Sequence, residues 1–266
     1  ELIMVVQHNL QASNTNRMLG QNVKAVGKSS EKLASGYQIN RAADDAAGLS
    51  ISEKMRNQIR GINQSVDNAE DGISLIQTAE GNLNEMHSIL QRMGELANKA
   101  ANDVNETEDR TTISDEIGQL KEELESIADK AKYNGKSLSD FSGYLQVGAN
   151  SGDNMKISVA VTVTVSTTDV TSHTAASDTM TAVTEAIKSV SAQRSTLGAV
   201  QNRLAYTANN LQNYGENLSA AESRIRDTDM ATEMVSYSKN NILQQAAQSM
   251  LAQANQSNQG VLSLLQ

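Results

Sequence analysis

The stretch MRNQIRGINQSVDNAEDGISLIQTAEGNLNEMHSILQRMGELANKA, residues 55–100, carries an apolar residue at every seventh position. This first row consists of Met55, Ile62, Ala69, Ile76, Leu83, Leu90 and Ala97. A companion row changes side near residue 78 and consists of Ile59, Val66 and Ile73, then Ala79, Met86, Met93 and Ala100. A sustained seven-residue repeat is typical of a helix that packs along a coiled-coil seam. The stretch therefore predicts one long amphipathic helix.

Two further helices of this kind are predicted along the chain. Counting sevens from residue 183 gives Val183, Val190, Leu197, Leu204, Leu211, Leu218 and Ile225. A shorter ladder consists of Ile113, Ile117, Leu120, Leu124, Ile127 and Ala131. Thr112 and Asp115 have capping-box spacing, so we expect the short helix to begin there. Three such helices predict a mainly α fold, an elongated antiparallel helical bundle whose apolar rows form its core.

A small β region is predicted at about residues 141–166, before the row that begins at residue 183. Residues 155–166 alternate β-branched and polar side chains, as in Val161-Thr162-Val163-Thr164, which is typical of a half-buried strand. Residues 144–148 predict a second strand, and the Gly- and Asn-rich residues 148–153 predict the hairpin loop between them. Residues 135–140 are polar and turn-like, and residues 167–179 form a Ser/Thr-rich connector.

Both ends of the chain are amphipathic, and the rest of the chain offers no further helix to pack against their apolar faces. A seven-step row near the start consists of Val5, Ala12, Leu19, Val26 and Leu33. Apolar positions near the other end include Ile242, Leu243, Met250, Leu251, Leu262 and Leu265. We expect two paired terminal helices, but two helices alone cover little of each other's surface, and isolated helices are marginal in water. Self-association with other copies of the chain is the natural way to cover these faces.

Composition excludes several classes of protein. The 266 residues include no Cys, Pro or Trp, only 3% are aromatic, and the formal net charge is −9. Without Cys there is no disulfide framework and no thiol site, and the acidic balance argues against a nucleic-acid surface. We expect neither a membrane-spanning helix nor a cleavable signal peptide, and we interpret residues 1–3 as an addition ahead of a natural start at Met4.

No arrangement of residues predicts catalysis, a metal or a cofactor. His8, His87 and His173 are far apart in sequence and lack a metal-ligand spacing. Asp44 and Asp45 are adjacent, and Asp at a helix start favours capping over acid-base work. An enzyme with an unrecognised site stays a remote alternative.

Three stretches together resemble one known family, the bacterial flagellins. They are LASGYQINRAADDAAGL (33–49), QVGANSG (146–152) and AESRIRDTDMA (221–231), and the opening Asn9-Leu10 and closing Leu262, Leu264 and Leu265 are similar too. The resemblance implies an inner domain of residues 4–40 with 228–266 and a rod of residues 41–227, in a minimal chain that lacks outer domains. It also places Asn40, Arg41, Asp44 and Asp45 among the self-assembly residues.

The resemblance implies an extracellular structural subunit that polymerises into the flagellar filament for motility. It implies partners beyond the chain itself, namely an export chaperone, the filament cap and the hook-junction proteins, and export without a cleavable signal peptide. It implies neither nucleic acid nor a membrane as a partner. The alternative left open is a soluble coiled-coil signalling rod of the chemoreceptor type, which would explain the heptads but not the β region or the unpartnered ends.

Flagellins are also ligands of a flagellin-sensing Toll-like receptor of the host. The positions that match the family's receptor-binding run are Gln91, Arg92, Glu95, Leu96, Lys99 and Glu116. Gly94 stands where the family often has Arg, and Lys99 stands where stimulatory members often have Gln. Arg92 offers a planar donor fork and Leu96 an apolar contact four residues further on the same helix.

Overall fold

The computed structural model describes residues 9–264, with side chains described through residue 257. Five helices and four short strands occur within this range. In chain order they are α1 (Leu10–Ser35), α2 (Ala46–Ala100), α3 (Thr107–Lys130), β1 (Lys132–Tyr133), β2 (Lys136–Ser137), β3 (Phe141–Gln146), β4 (Asn154–Val159), α4 (His173–Arg226) and α5 (Met230–Leu264). The prediction of a mainly α fold with a small β-hairpin region and paired terminal helices is confirmed.

The chain divides into two compact units. One, here called the helix bundle, comprises residues 58–217; the other, here called the terminal unit, comprises the described residues up to 57 and from 218. The domain boundaries predicted at residues 40/41 and 227/228 differ from the limits of these two units, at residues 57/58 and 217/218, and stay a prediction.

In the helix bundle, α2 and α4 run antiparallel. Contacts join Gly94 to Val183, Glu80 to Arg194, and Gly72 to Leu204, so residue numbers fall on α2 as they rise on α4. α3 follows α2 after a short loop and contributes to the same apolar core.

The predicted apolar rows form this core. On α2 the first row is buried from Ile62 to Ala97, and on α4 the row is buried from Val183 to Leu211. The companion row of α2 is only half-buried at Val66 and Ile73 but buried from Ala79 onward. The change of side has a packing reason, because the first part of α2 contacts the β3–β4 hairpin and the last part faces α3.

The predicted start of α3 was wrong. The helix begins five residues earlier, at Thr107, and the Glu106 N–H donates to the Asp109 carboxylate at 3.3 Å. Thr112 lies inside the helix, where its hydroxyl donates to the Glu108 carbonyl oxygen at 3.1 Å. An acidic residue three positions after the cap satisfies the N–H of the cap residue, which would otherwise lack a partner within the helix.

The β region consists of two antiparallel hairpins. Asn134 and Gly135 both have positive φ, 48° and 77°, so β1 and β2 join in a tight turn within a stretch expected to be irregular. β3 pairs with β4 from Phe141↔Val159 to Gln146↔Asn154.

The predicted strand at 155–166 is correct only as far as Val159. Beyond it, Val161, Val163 and Val165 stay buried and alternate with exposed Thr162 and Thr164, but no strand is formed. β3 begins at Phe141, opposite Val159, so the later residues have no partner in β3, and the Val161 N–H instead donates to the Leu138 carbonyl oxygen at 3.0 Å. The alternation of apolar and polar residues beyond Val159 therefore reflects which side chains are buried, and not pairing in a β-strand.

Candidate functional site: the terminal helices and the loop that joins them

The terminal unit has almost no apolar core of its own. Its buried apolar side chains among the described residues are Ile39 and Ala254, whereas the helix bundle buries an unbroken series along three helices. α1 and α5 contact each other, and the Asn9 side-chain amide donates to the Ala254 carbonyl oxygen at 3.0 Å. Pairing therefore positions the two helices without covering them.

The predicted assembly residues lie on two different surfaces of this pair. On α1, Leu19, Val26 and Leu33 are half-buried. On α5, Leu251 is half-buried, whereas the remaining predicted side chains point into solvent and are exposed as follows: Ile242 65%, Leu243 42% and Met250 57%. Val5 and Leu265 lie outside the described residues, and Leu262 lies in the part of α5 whose side chains are not described.

Sequence periodicity missed further apolar side chains on the same helices. Those exposed by 46% or more are Leu10, Met18, Val23, Met230, Met234 and Val235. Leu10, Met18 and Val23 lie off the seven-step row of α1, and the positions predicted on α5 did not include Met230, Met234 or Val235. A search for a second apolar stripe on each terminal helix would have found these side chains. Together with the exposed predicted residues Ile242, Leu243 and Met250, they form the exposed apolar side chains of the terminal unit, here called the terminal apolar surface.

The loop between α1 and α2 is tied to the start of α5. α1 ends at Gly36, whose φ of 75° is readily adopted only by glycine. The Gln38 N–H donates to the Arg226 carbonyl oxygen at 2.7 Å, and the Thr228 N–H donates to the Gly36 carbonyl oxygen at 2.9 Å. A Tyr37↔Asp227 bridge lies between these bonds. The family-like stretches 33–49 and 221–231 thus meet in one small structure.

Asp44 anchors this loop to α1. Its carboxylate lies 2.9 Å from the Lys28 ammonium and accepts the N–H groups of Asn40 and Arg41 at 3.3 and 3.1 Å. The Lys28 hydrogen bond, with these backbone donors, lowers the pKa of the Asp44 carboxyl. Arg41 makes a two-pronged ion pair with Glu31 at 3.0 and 3.2 Å.

Asp45 caps α2, as its position predicted. Its carboxylate accepts the N–H groups of Ala47 and Gly48 at 3.0 and 2.9 Å. Asp229 does the same at the start of α5, and the Thr232 N–H it accepts contributes most to lowering the pKa of its carboxyl. Both acids are committed to helix termini rather than to acid-base chemistry.

Arg226 contacts two other side chains of this region. Its guanidinium donates to the Glu53 carboxylate at 2.7 Å, which lowers the pKa of Glu53, and it stacks 4.9 Å from the centroid of the Tyr37 ring. Its Nε atom is buried without a hydrogen-bond partner among the described residues. The sequence signal for it was only its place within the stretch 221–231.

The predicted receptor-binding residues lie on α2 and α3 in the helix bundle. Arg92 donates to Glu116 at 3.0 Å and to Glu95 at 3.3 Å, and these bonds raise the pKa of Arg92. Gln91 and Lys99 are exposed beside them. Leu96 is different: it is 3% exposed and packs in the core, so the expected apolar contact on the surface is wrong.

Histidines and acids form no metal site in the part of the chain that the structure describes. His87 Nε2 lies 3.1 Å from Gln91 Nε2 on α2, and His173 Nδ1 lies 2.7 Å from the Ala101 carbonyl oxygen. His8 lies outside the described residues. Across residues 9–264 no helix combines the length and apolar character needed to cross a membrane.

Comparison with known proteins gives matches over nearly the whole chain. Residues 6–145 match the family model of the bacterial flagellin N-terminal helical region, and residues 180–265 match that of the C-terminal helical region. The flagellin of Halalkalibacterium halodurans is 52% identical over 271 residues, and that of Bacillus subtilis is 47% identical over 305 residues. Each alignment covers 98% of this chain and 100% of the relative.

A solved structure is similar as well. The crystal structure of Bacillus cereus flagellin matches with a TM-score of 0.51 and 31% identity, over 59% of this chain and 94% of that one.

Proposed function

The chain belongs to the bacterial flagellin family and is a structural subunit of the flagellar filament, and from this premise we propose that the terminal apolar surface is where it polymerises. The observation that carries the proposal is the contrast between the two units. The helix bundle buries its apolar rows within one chain, whereas α1 and α5 leave Ile242, Met250 and Val23 in solvent. The alternative of a signalling rod is not favoured, since both family models are flagellin models.

The energetics of such a surface favour cooperative assembly. Burying one Leu, Ile or Met side chain contributes about 1.5–3 kcal/mol. The loss of conformational entropy when a helix becomes ordered opposes assembly by about 1–2 kcal/mol for each backbone residue fixed. A few buried side chains therefore do not stabilise the assembled state. Several neighbours must cover the surface together before the terminal helices gain more than they lose. A helical polymer supplies that condition and a single pair of chains does not.

We propose that Asn40, Arg41, Asp44 and Asp45 position the chain for assembly. All four contact groups of their own chain, through the Asp44–Lys28 and Arg41–Glu31 ion pairs and the α2 cap. We expect them to set the course of the chain between α1 and α2, and so the direction in which the apolar side chains of α1 point. Their effect on polymerisation then acts through the fold of the terminal unit.

Hydrogen exchange on dilute single chains and on filaments tests the proposal. Amides of α1 and α5 should exchange quickly in the single chain and become protected in the filament, with the helix bundle as the control in the same sample. Removing residues 228–266 should abolish growth from added filament seeds. Terminal helices already as protected as the bundle in dilute solution would contradict the proposal.

A second proposal concerns the flagellin-sensing Toll-like receptor. The Arg92–Glu116 pair, with exposed Gln91, Glu95 and Lys99, forms a polar surface shared by α2 and α3 that suits a protein partner. Leu96 supports it from beneath. Binding of the receptor ectodomain should weaken on Arg92→Ala, and Glu185→Ala on α4, also exposed, is the matched control. Equal binding by both variants would contradict this proposal.

Flagellar partners implied by the family resemblance are assigned to the same terminal apolar surface. We expect an export chaperone to cover the exposed side of α5, because Ile242, Met234 and Val235 would otherwise promote premature association. The filament cap and the hook-junction proteins would bind where a neighbouring copy otherwise does. The rate of filament growth with and without each purified partner measures this competition for the terminal apolar surface. A growth rate that the partner leaves unchanged would contradict the assignment.

A further inference from the structure

The loop between α2 and α3 holds an apolar side chain out in solvent. Val104 is 85% exposed, more than any other large apolar side chain among the described residues. The loop around it is fixed by short bonds: the Asn105 side-chain amide donates to the Lys99 carbonyl oxygen at 2.6 Å, and the Val104 N–H donates to Asn102 Oδ1 at 3.3 Å. A side chain presented by an ordered loop loses little conformational freedom on binding.

A cavity of about 120 Å³ opens elsewhere on the helix bundle, between α2 and the β3–β4 hairpin. Its walls are mainly apolar and include Leu75, Phe141, Leu145 and Ile157. Tyr144 also lines it and is 73% exposed, so the cavity is reached from the surface. An apolar cavity of about 150 Å³ accommodates benzene in another protein, so this one suits a branched aliphatic side chain.

The charges around the side chain and the cavity are complementary. Asp103 and Glu106, both exposed, flank Val104, and the Asp103 carboxylate also pairs with the Arg110 guanidinium at 3.0 Å. At the cavity, the Lys136 Nζ atom lies 5.9 Å from the centroid of the cavity-lining Phe141 ring, and Lys156 is the cross-strand partner of Tyr144.

The α2 side of the cavity instead carries Asp71. An acidic loop therefore fits this cavity in one orientation, with its carboxylates toward the lysines of the sheet.

One chain cannot fill its own cavity. The α2 residues that line it, Gly72 and Leu75, precede the end of the helix at Ala100 by 28 and 25 residues. At 1.5 Å per residue the loop that carries Val104 lies about 40 Å away. The partner must be another molecule, and the chain's own assembly supplies an identical one.

We propose that Val104 of one copy inserts into the cavity beside Tyr144 of the next copy, as a head-to-tail contact within the filament. The inference rests on the proposed assembly function and adds a contact made by the helix bundle. The two surfaces involved are different, so a pair of copies keeps one free Val104 at one end and one free cavity at the other. A heterologous contact whose rotation does not close into a ring extends into an open filament.

Directed disulfide formation tests the proposal, because the chain has no cysteine of its own. One preparation carries Val104→Cys and another carries Tyr144→Cys; both are mixed with unmodified chain, grown on filament seeds and oxidised. The control mixture replaces the second variant with Tyr206→Cys, at a side chain that is also exposed, by 76%, but lies away from the cavity on α4. A disulfide needs Cβ atoms about 3.5–4.5 Å apart, so cross-linking reports direct contact.

We expect cross-linked dimers from the Val104→Cys and Tyr144→Cys mixture at about ten times the yield of the control mixture. Filaments that grow without this dimer, or that give equal yields in both mixtures, would overturn the proposal and leave the terminal apolar surface untouched as the assembly site. Failure of the unmodified chain to elongate seeds would instead count against the proposed assembly function.

Elongation by Val104 variants gives a second measurement. Val104→Asp places a charge where the cavity is apolar and should slow elongation about tenfold, whereas Val104→Ile keeps an apolar branched side chain and should elongate within about twofold of the unmodified chain. The site is exposed, so circular dichroism should show both single chains folded alike. Normal elongation by Val104→Asp would contradict the insertion.

Discussion

Replacing Ile242 with serine should weaken polymerisation and leave the single chain intact. Ile242 lies on α5 and is 65% exposed, so the fold of one chain depends little on its side chain. Serine and isoleucine have similar helix propensities, so α5 itself should be unaffected. The substitution therefore removes an apolar group whose burial, on our proposal, takes place only in the filament.

The size of the effect follows from the surface still available. Full burial of an Ile side chain contributes about 1.5–3 kcal/mol. With about two-thirds of Ile242 exposed, assembly can gain about 1–2 kcal/mol at this position. Since each 1.4 kcal/mol corresponds to a factor of about ten in an equilibrium constant, the critical concentration for growth should rise about 5- to 30-fold.

Sedimentation of seeded filaments over a range of protein concentrations measures the critical concentration. Thermal unfolding of dilute chain should show a midpoint within about 2 °C of the unmodified protein, because exposed substitutions usually change stability by less than about 0.5 kcal/mol. Gln248→Ser, a polar substitution at an exposed position on the same helix, is the matched control. An unchanged critical concentration for Ile242→Ser, or an equal rise for Gln248→Ser, would refute the reasoning.

Three further substitutions probe the fold beneath these surfaces. Gly36→Ala should destabilise the end of α1 by about 1–2 kcal/mol, because φ is 75° there; faster hydrogen exchange in α1 measures it, and unchanged exchange would contradict it. The lowered pKa of Asp44 means that this carboxyl stabilises the fold above about pH 4 and loses that contribution as the pH falls through its folded pKa. Lys28→Met should therefore move the Asp44 titration, followed by NMR, to higher pH, and an unmoved titration would exclude the ion pair. Leu96→Ala should cost about 2–5 kcal/mol in urea unfolding because the side chain is buried, whereas Gln91→Ala should change stability by less than about 0.5 kcal/mol; equal effects would contradict the burial of Leu96.

Local patterns on single helices were predictable from the sequence. The first α2 row from Ile62 to Ala97 is buried as its seven-residue spacing predicted, and Asp45 caps α2 as an acid before a helix should. Both features depend on residues within a few turns of one another, and helix geometry fixes which face they occupy.

Features that depend on distant partners were not predictable. Leu96 matches a surface motif in sequence but lies in the core, because α3 packs against that side of α2. The alternating residues 160–166 do not form a strand, because β3 begins opposite Val159 and offers no further partner. Periodicity predicts which side of a helix or strand is apolar, but it does not predict which other element packs against that side.

The long amphipathic helices, the small β region and the two apolar chain ends are predictable from sequence, because each follows from the spacing of side chains along one element. Packing between elements brings Arg226 between Glu53 and Tyr37, and it leaves an exposed Val104 and an apolar cavity on the same bundle about 40 Å apart. The physical reason is that these arrangements are set by which elements pack together and at what register. Residues more than a hundred positions apart meet only after the helices have packed.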